Sequence, residues 1–115
     1  MNIIKLDAKW ASKVVDVQSR IAEEAVMRGL EYLRRGERFQ AVKEFVVASS
    51  AFAMIGRNCQ EAEKERNMQL SKGYSEAGAI LAKDMSVDPA AVESILGPDR
   101  IWKLGELLRN EDKRW

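Results

Sequence analysis

The chain of 115 residues contains no histidine and a single cysteine, Cys59. Without histidine there is no Ser-His or Cys-His nucleophile pair, no histidine metal ligand and no usual proton shuttle near neutral pH. A lone cysteine cannot close an internal disulfide, which is typical of proteins from reducing compartments. Because these absences exclude the commonest catalytic and metal-binding sets, we expect no enzyme activity, no cofactor and no metal site.

Proline is also scarce, and both prolines, Pro89 and Pro98, come late in the chain. Nothing before Asp88 is therefore forced out of a helix by proline, and no alternating β-branched run argues for strands. Aromatic residues make up only 7% of the chain, whereas alanine, glutamate, lysine and arginine are frequent. This composition predicts an all-α domain.

The charges nearly cancel, with a formal net charge of +1. No overall field therefore attracts the chain to nucleic acid or to an anionic membrane. No uninterrupted apolar run approaches the length of a membrane span, and residues 1–7 lack the apolar core of a secretory signal. We therefore expect a cytoplasmic protein without a membrane span.

The first predicted helix covers about residues 7–35. Apolar residues at Trp10, Val14, Val17 and Ile21 follow a 4-3-4 spacing that places them along one face. No residue in this range breaks the helical pattern. The sequence thus leaves open whether the segment is one long helix or two that abut.

Two further helices are predicted before residue 86. The second covers about residues 37–55 and ends at Gly56, after a turn at Gly36 that favours a left-handed backbone conformation. Asn58 is an N-cap candidate for the third helix, which we expect to reach residue 83 or 85. Helices in this order predict an antiparallel hairpin extended to a three-helix bundle over residues 1–85.

The remaining residues, 86–115, predict a pair of short helices packed on the same domain. Asp88 and Pro89 are typical of an N-cap followed by the first helical residue. Gly97 and the proline after it end this helix, and a last helix is predicted over about residues 100–110.

One run in the hairpin has the pattern Ala-x3-Gly-x2-Tyr-x3-Gly-x4-Ala-x3-Phe-x2-Ala. Its members are Ala25, Gly29, Tyr32, Gly36, Ala41, Phe45 and Ala48. The pattern resembles a single tetratricopeptide-type helical hairpin, in which small residues let two helices approach closely while aromatic residues fill the seam. The position two past Gly36, usually aromatic in that family, is Arg38 here. The helix after Gly56 does not repeat the pattern, so no repeat array is expected.

The layout of the first three helices is also similar to the three-helix MIT domains. The resemblance covers about residues 21–83 and includes Tyr74-x2-Ala77, followed by Leu81 in the third helix. MIT domains are docking modules of microtubule-interacting and membrane-trafficking proteins. The resemblance implies that a short amphipathic partner helix lies in a groove between bundle helices.

These resemblances predict a non-enzymatic interaction module, an adaptor or chaperone-like protein that binds a partner helix or peptide. The partner-binding groove is expected beside the second and third helices. Four residues are interpreted as lining the groove or the core: Phe45, Phe52, Tyr74 and Leu81. Two arginines, Arg35 and Arg38, are interpreted as the polar rim of the groove.

Two alternatives remain open. Basic residues are frequent in the last helix and tail, at Arg100, Lys103, Arg109, Lys113 and Arg114, which fits a small nucleic-acid-binding regulator. Against it, that helix carries Glu106 and two leucines where a polar base-reading face is needed. The second alternative is a homodimer, because a chain of this size with small helices often completes its core by dimerising. Trp10, Trp102 and Met54 are the candidate interface residues, since tryptophan is enriched at interfaces.

Overall fold

The computed structural model describes residues 2–96 and residue 101, and the described residues are helices joined by turns, with no strand among them. The helices are α1 (Asn2–Arg34), α2 (Arg38–Asn58), α3 (Glu61–Lys83) and α4 (Pro89–Ile95). α2 lies between α1 and α3 and packs against both. The predicted all-α bundle is therefore confirmed. The last predicted helix, 100–110, lies outside the described residues except for Ile101, which is helical.

The first predicted segment is one continuous helix, α1, of 33 residues. The hairpin register is fixed by the contact of Gly29 with Phe45 and by an ion pair between Arg28 and Glu44. In that antiparallel register the end of α2, at Asn58, falls opposite about residue 15 of α1. The first dozen or so residues of α1 therefore extend about 18 Å beyond the bundle, at 1.5 Å per residue.

The turn between α1 and α2 is a Schellman motif built on Gly36. The backbone N–H of Glu37 donates to the carbonyl of Tyr32 at 2.8 Å, and the N–H of Gly36 donates to the carbonyl of Leu33 at 3.0 Å. Gly36 has a φ of 75°, in the left-handed region that glycine adopts without a steric cost. The predicted role of Gly36 as the helix stop is confirmed.

Small residues bring α1 and α2 together, as the sequence predicts. A Cβ placed on Gly29 would lie 2.5 Å from Cε1 of Phe45, so only glycine fits there against the ring. Ala41 and Ala48 on α2 are fully buried, as is Phe45. The close seam between the two helices thus depends on the absence of larger side chains at these positions.

The junction of α2 and α3 differs from the prediction. α2 does not end at Gly56, which is buried inside the helix against Met68. Asn58 does not cap α3, because its side chain donates backward to the carbonyl of Met54 at 2.8 Å and thereby closes the last turn of α2. The residue before α3 is Gln60, which makes no side-chain cap hydrogen bond. The prediction was wrong because an Asn side chain satisfies a helix C-terminus as readily as an N-terminus.

Of the helices in the described part of the chain, α2 is long and apolar enough to cross a membrane by length and composition, with a mean hydropathy of 1.2. The core helix of a soluble protein meets the same criterion. In α2 the residues that face α1 and α3 are largely alanine and phenylalanine, and they are buried against protein. Length and composition alone therefore do not establish a membrane span.

Candidate partner-binding site

Three of the predicted site residues form one aromatic cluster between α2 and α3. The ring of Tyr74 lies 5.7 Å from that of Phe45 and 5.6 Å from that of Phe52, measured between centroids, and is stacked on Phe52. Offset or tilted ring pairs at such distances contribute stability beyond the burial of their area. The sequence thus identified residues that the fold does bring together.

This cluster belongs to the core rather than to an open groove. Phe45, Tyr74 and Leu81 have 0% of their surface exposed, and Phe52 has 9%. The sequence left groove and core open for these four residues, and the structure places all of them in the core. A partner would reach them only if another part of the chain moved.

The hydroxyl of Tyr74 is buried and has no hydrogen-bond partner among the described residues. Burial raises the pKa of Tyr74 to about 12, since the phenolate would lose its hydration. The ring is therefore neutral throughout the physiological pH range and acts as an apolar core residue.

Arg38, predicted for a polar rim, is buried instead. Its guanidinium donates to the carbonyls of Leu81 at 3.2 Å, Asp84 at 2.8 Å and Met85 at 3.4 Å, and also to the carbonyl of Val87. The side chain thus reaches from the first residue of α2 to the end of α3 and the loop that follows. The rim interpretation of Arg38 is corrected to a structural one.

The chemistry of this contact explains why an arginine is buried there. The last carbonyls of a helix have no partner within the helix. The planar guanidinium of Arg38 carries five N–H donors and no acceptor, which suits a cluster of carbonyl oxygens. One sequence signal could have revealed this role, because Arg38 stands where the tetratricopeptide pattern has a buried aromatic residue.

Arg35, the other predicted rim residue, remains on the surface. Its side chain is 59% exposed and pairs with Glu31 at 3.2 Å. The neighbouring Arg34 also contacts Glu31, and its Nη2 lies 3.1 Å from Oε1 of Glu93 on α4. Arg34 was not among the predicted site residues. No local pattern could have found it, since its partner is 59 residues away in sequence.

The segment after α3 spans the space between α1 and α3. α4 packs against α1, with Val92 and Leu96 buried in the common core. Ile101 is also buried and lies directly against Gly73 of α3, where a Cβ would collide with it. We call the surface between Arg34 on α1 and Gly73 on α3 the α4 seat.

α4 begins as the sequence predicts. Asp88 precedes the helix, and its Oδ1 accepts a hydrogen bond from the backbone N–H of Ala90 at 3.1 Å. Pro89 is the first residue of the helix. The predicted N-cap is confirmed, and the start of α4 is therefore stabilised by residues of its own.

Several other apolar side chains are exposed. Trp10 is 69% exposed in the projecting part of α1, and Phe39 is 57% exposed on α2. Further exposed apolar residues are Val17, Met27, Val46, Val47, Met68 and Met85.

Within residues 2–96 and 101, no three cysteine or acidic side chains come together as a set that could hold a metal ion. The nucleic-acid alternative depends on five basic residues that lie outside the described part of the chain: Arg100, Lys103, Arg109, Lys113 and Arg114. That alternative therefore gains no structural argument.

Comparison of the chain with protein-family models, with curated proteins and with solved structures finds no match. The tetratricopeptide and MIT resemblances therefore rest on the residues that suggested them.

Proposed function

We propose that this protein is a non-enzymatic protein–protein interaction module that binds an amphipathic partner helix in the α4 seat. One observation carries the proposal: the chain already places a short helix of its own, α4, on this surface. A surface that accepts an internal helix has the shape and the apolar character needed to accept an external one.

The burial pattern of the seated segment supports this proposal. Val92 is 3% exposed, Leu96 is 6% exposed and Ile101 is 2% exposed, although the segment that carries them is short. Of these residues Val92 belongs to α4 and Leu96 follows its last residue, and apolar anchors one turn apart are typical of helix-in-groove recognition. α2 packs against both α1 and α3, the two helices between which the seat lies.

The resemblance to MIT domains supports the same function through its implied groove-docked helices. The predicted groove residues take a different part in the proposal. Tyr74 and Leu81 are buried core residues, whereas Arg34 contacts Glu93 of α4.

Binding of a peptide that copies the internal segment tests the proposal. A fluorescein-labelled peptide of residues 86–103 is titrated with the full chain carrying Val92→Asp and Leu96→Asp, which unseat α4. We expect saturable binding by fluorescence anisotropy, and none with a scrambled peptide. The full chain with Ala91→Asp is the matched control, since Ala91 is exposed on α4 and its replacement leaves α4 seated.

Circular dichroism and thermal melting first establish that each variant is folded. If the folded double variant binds the peptide no better than the Ala91→Asp control, the α4 seat is not a helix-binding surface and the proposed function is wrong.

A further inference from the structure

We infer that residues 88–96, which include α4, are an exchangeable internal ligand, and that the α4 seat selects partner helices that carry an acidic residue beside their apolar anchors. This inference rests on the function proposed above and names the class of partner. It follows from the chemistry of α4, from the charges at the seat and from the way the preceding loop is held.

The seated helix combines two features that a competing helix must reproduce. Val92 and Leu96, one turn apart, are buried and supply the apolar anchors. Glu93 lies between them in sequence and is turned toward α1, with its side chain 28% exposed. An amphipathic helix with an acid at the same position would make the same contacts.

The edge of the seat carries positive charge that faces this acid. Arg34 donates to Glu93 at 3.1 Å, and Arg35 follows it at the end of α1. Both arginines also contact Glu31, so the three side chains together carry a net charge of about +1. A partner with lysine or arginine in place of Glu93 would face like charge.

The loop before α4 is held separately from α4 itself. All four carbonyls that Arg38 binds belong to residues 81–87, and none belongs to α4. α4 also has its own N-terminal cap at Asp88. The segment can therefore leave the seat by rotation after Val87 while the end of α3 and the loop remain fixed.

The attachment of α4 is small compared with the packing of the bundle. α4 has seven residues, and its main described helix neighbour is α1. Its ion pair with Arg34 is exposed, and exposed ion pairs are weak and screened by salt. Local opening with a low free energy is expected for an element with so few buried contacts.

Charge exchange between seat and ligand tests the inference in the full-length chain. Two labelled peptides of residues 86–103 are used, one with the natural sequence and one with Glu93→Lys. Both peptides are titrated against two variants of the full chain. Glu93→Lys weakens the attachment of α4, which competes with the peptide for the seat, and Arg34→Glu reverses the charge at the edge of the seat. The matched controls are Glu76→Lys on α3 and Arg20→Glu on α1, both at exposed positions.

We expect the Glu93→Lys chain to bind the natural peptide about two- to fivefold more tightly than the Glu76→Lys chain, as for the loss of one exposed ion pair. The Arg34→Glu chain should prefer the Glu93→Lys peptide by a similar factor, and the Arg20→Glu chain should prefer the natural peptide. Hydrogen exchange should also become faster in residues 89–95 of the Glu93→Lys chain and stay unchanged in α2.

The outcomes separate this inference from the proposed function. Binding of both peptides without any dependence on charge would overturn the inference and leave the seat as a general helix-binding surface. Absence of binding in every folded variant, including the one with Val92→Asp and Leu96→Asp, would overturn both.

Discussion

The seam between α1 and α2 and the seat of α4 bury apolar residues in different ways. In the seam, Gly29 admits the ring of Phe45 so closely that a single added carbon would collide with it. In the seat, α4 places Val92 in the core and is held at its edge by an ion pair of exposed Arg34 with Glu93. The seam has no space for one more carbon, whereas α4 is a helix of seven residues with one buried side chain of its own, Val92.

This difference shows that helices of one small domain need not contribute equally to its stability. A core with close packing loses several kcal/mol when its volume changes, because the surroundings relax only partly. A short helix on the outside costs less to detach. Substitutions in the seam should therefore lower the free energy of unfolding more than substitutions in the seat. Arg38 joins the bundle to the loop before α4, and its substitution should have a large effect like those in the seam.

The largest effect is expected for Arg38→Met. The substitution keeps an apolar stem but leaves the carbonyls of Leu81, Asp84 and Val87 without their buried donor, which should lower the free energy of unfolding by about 3 kcal/mol. Urea denaturation followed by circular dichroism measures it. The control is Arg35→Met, in the exposed arginine, which should change stability by less than about 0.5 kcal/mol. Equal effects of the two substitutions would show that Arg38 is not a structural anchor.

The next effect tests the seam directly. Ala41→Leu adds three carbons to a position that is 0% exposed and should destabilise the protein by about 1–3 kcal/mol through overpacking. Ala79→Leu, at an exposed position of α3, makes the same chemical change without a tight neighbour. Differential scanning calorimetry of both variants gives the comparison. A melting temperature unchanged by Ala41→Leu would contradict close packing in the seam.

A smaller effect is expected in the seat. Val92→Ala removes two methyl groups from a nearly buried side chain and should cost about 1.5 kcal/mol if α4 unfolds with the bundle. If α4 opens alone, global stability should change by less, while hydrogen exchange in residues 89–95 accelerates and exchange in α2 does not. Faster exchange confined to residues 89–95 would show that the seat opens separately from the seam. Faster exchange throughout the bundle would show that the two unfold together.

The smallest effect at neutral pH is expected for Tyr74→Phe, because the hydroxyl has no partner among the described residues and its removal leaves no donor unsatisfied. The pKa of Tyr74 is about 12 in the fold, above its ordinary value of 10.0. The folded chain therefore holds this proton more tightly, so the stability contributed by the neutral phenol is complete below pH 10 and is lost as the pH rises through 12.

Chemical denaturation at pH 8 and pH 11 tests this linkage. The natural chain should lose more stability between the two pH values than the Tyr74→Phe variant, and Tyr32→Phe, at a half-buried position, should behave more like the natural chain. A Tyr74→Phe variant with the same alkaline loss of stability as the natural chain would contradict the raised pKa.

The fold was predictable from sequence where local chemistry decides the structure. The turn at Gly36 and the cap at Asp88 both follow from residue types at short spacing. The end of α2 and the start of α3 were misjudged, since an Asn side chain can bond to either neighbouring helix and that of Asn58 bonds to α2.

The candidate site was less predictable because its contacts join distant parts of the chain. Arginine is usually a surface residue. Arg38 is nevertheless buried by the end of α3 and the loop after it, more than forty positions later in the sequence. The pair of Arg34 with Glu93 likewise has no local signature. Exposure of an arginine depends on tertiary neighbours, and a single sequence does not specify those neighbours.

The length of α1 separates the two ends of the molecule. The described structure is 58 Å long and only 20 Å thick along its shortest axis. Trp10, near the free end of α1, and Arg34, at the α4 seat, are separated by about 36 Å of continuous helix. A partner helix in the α4 seat, as proposed above, would therefore leave the exposed Trp10 uncovered.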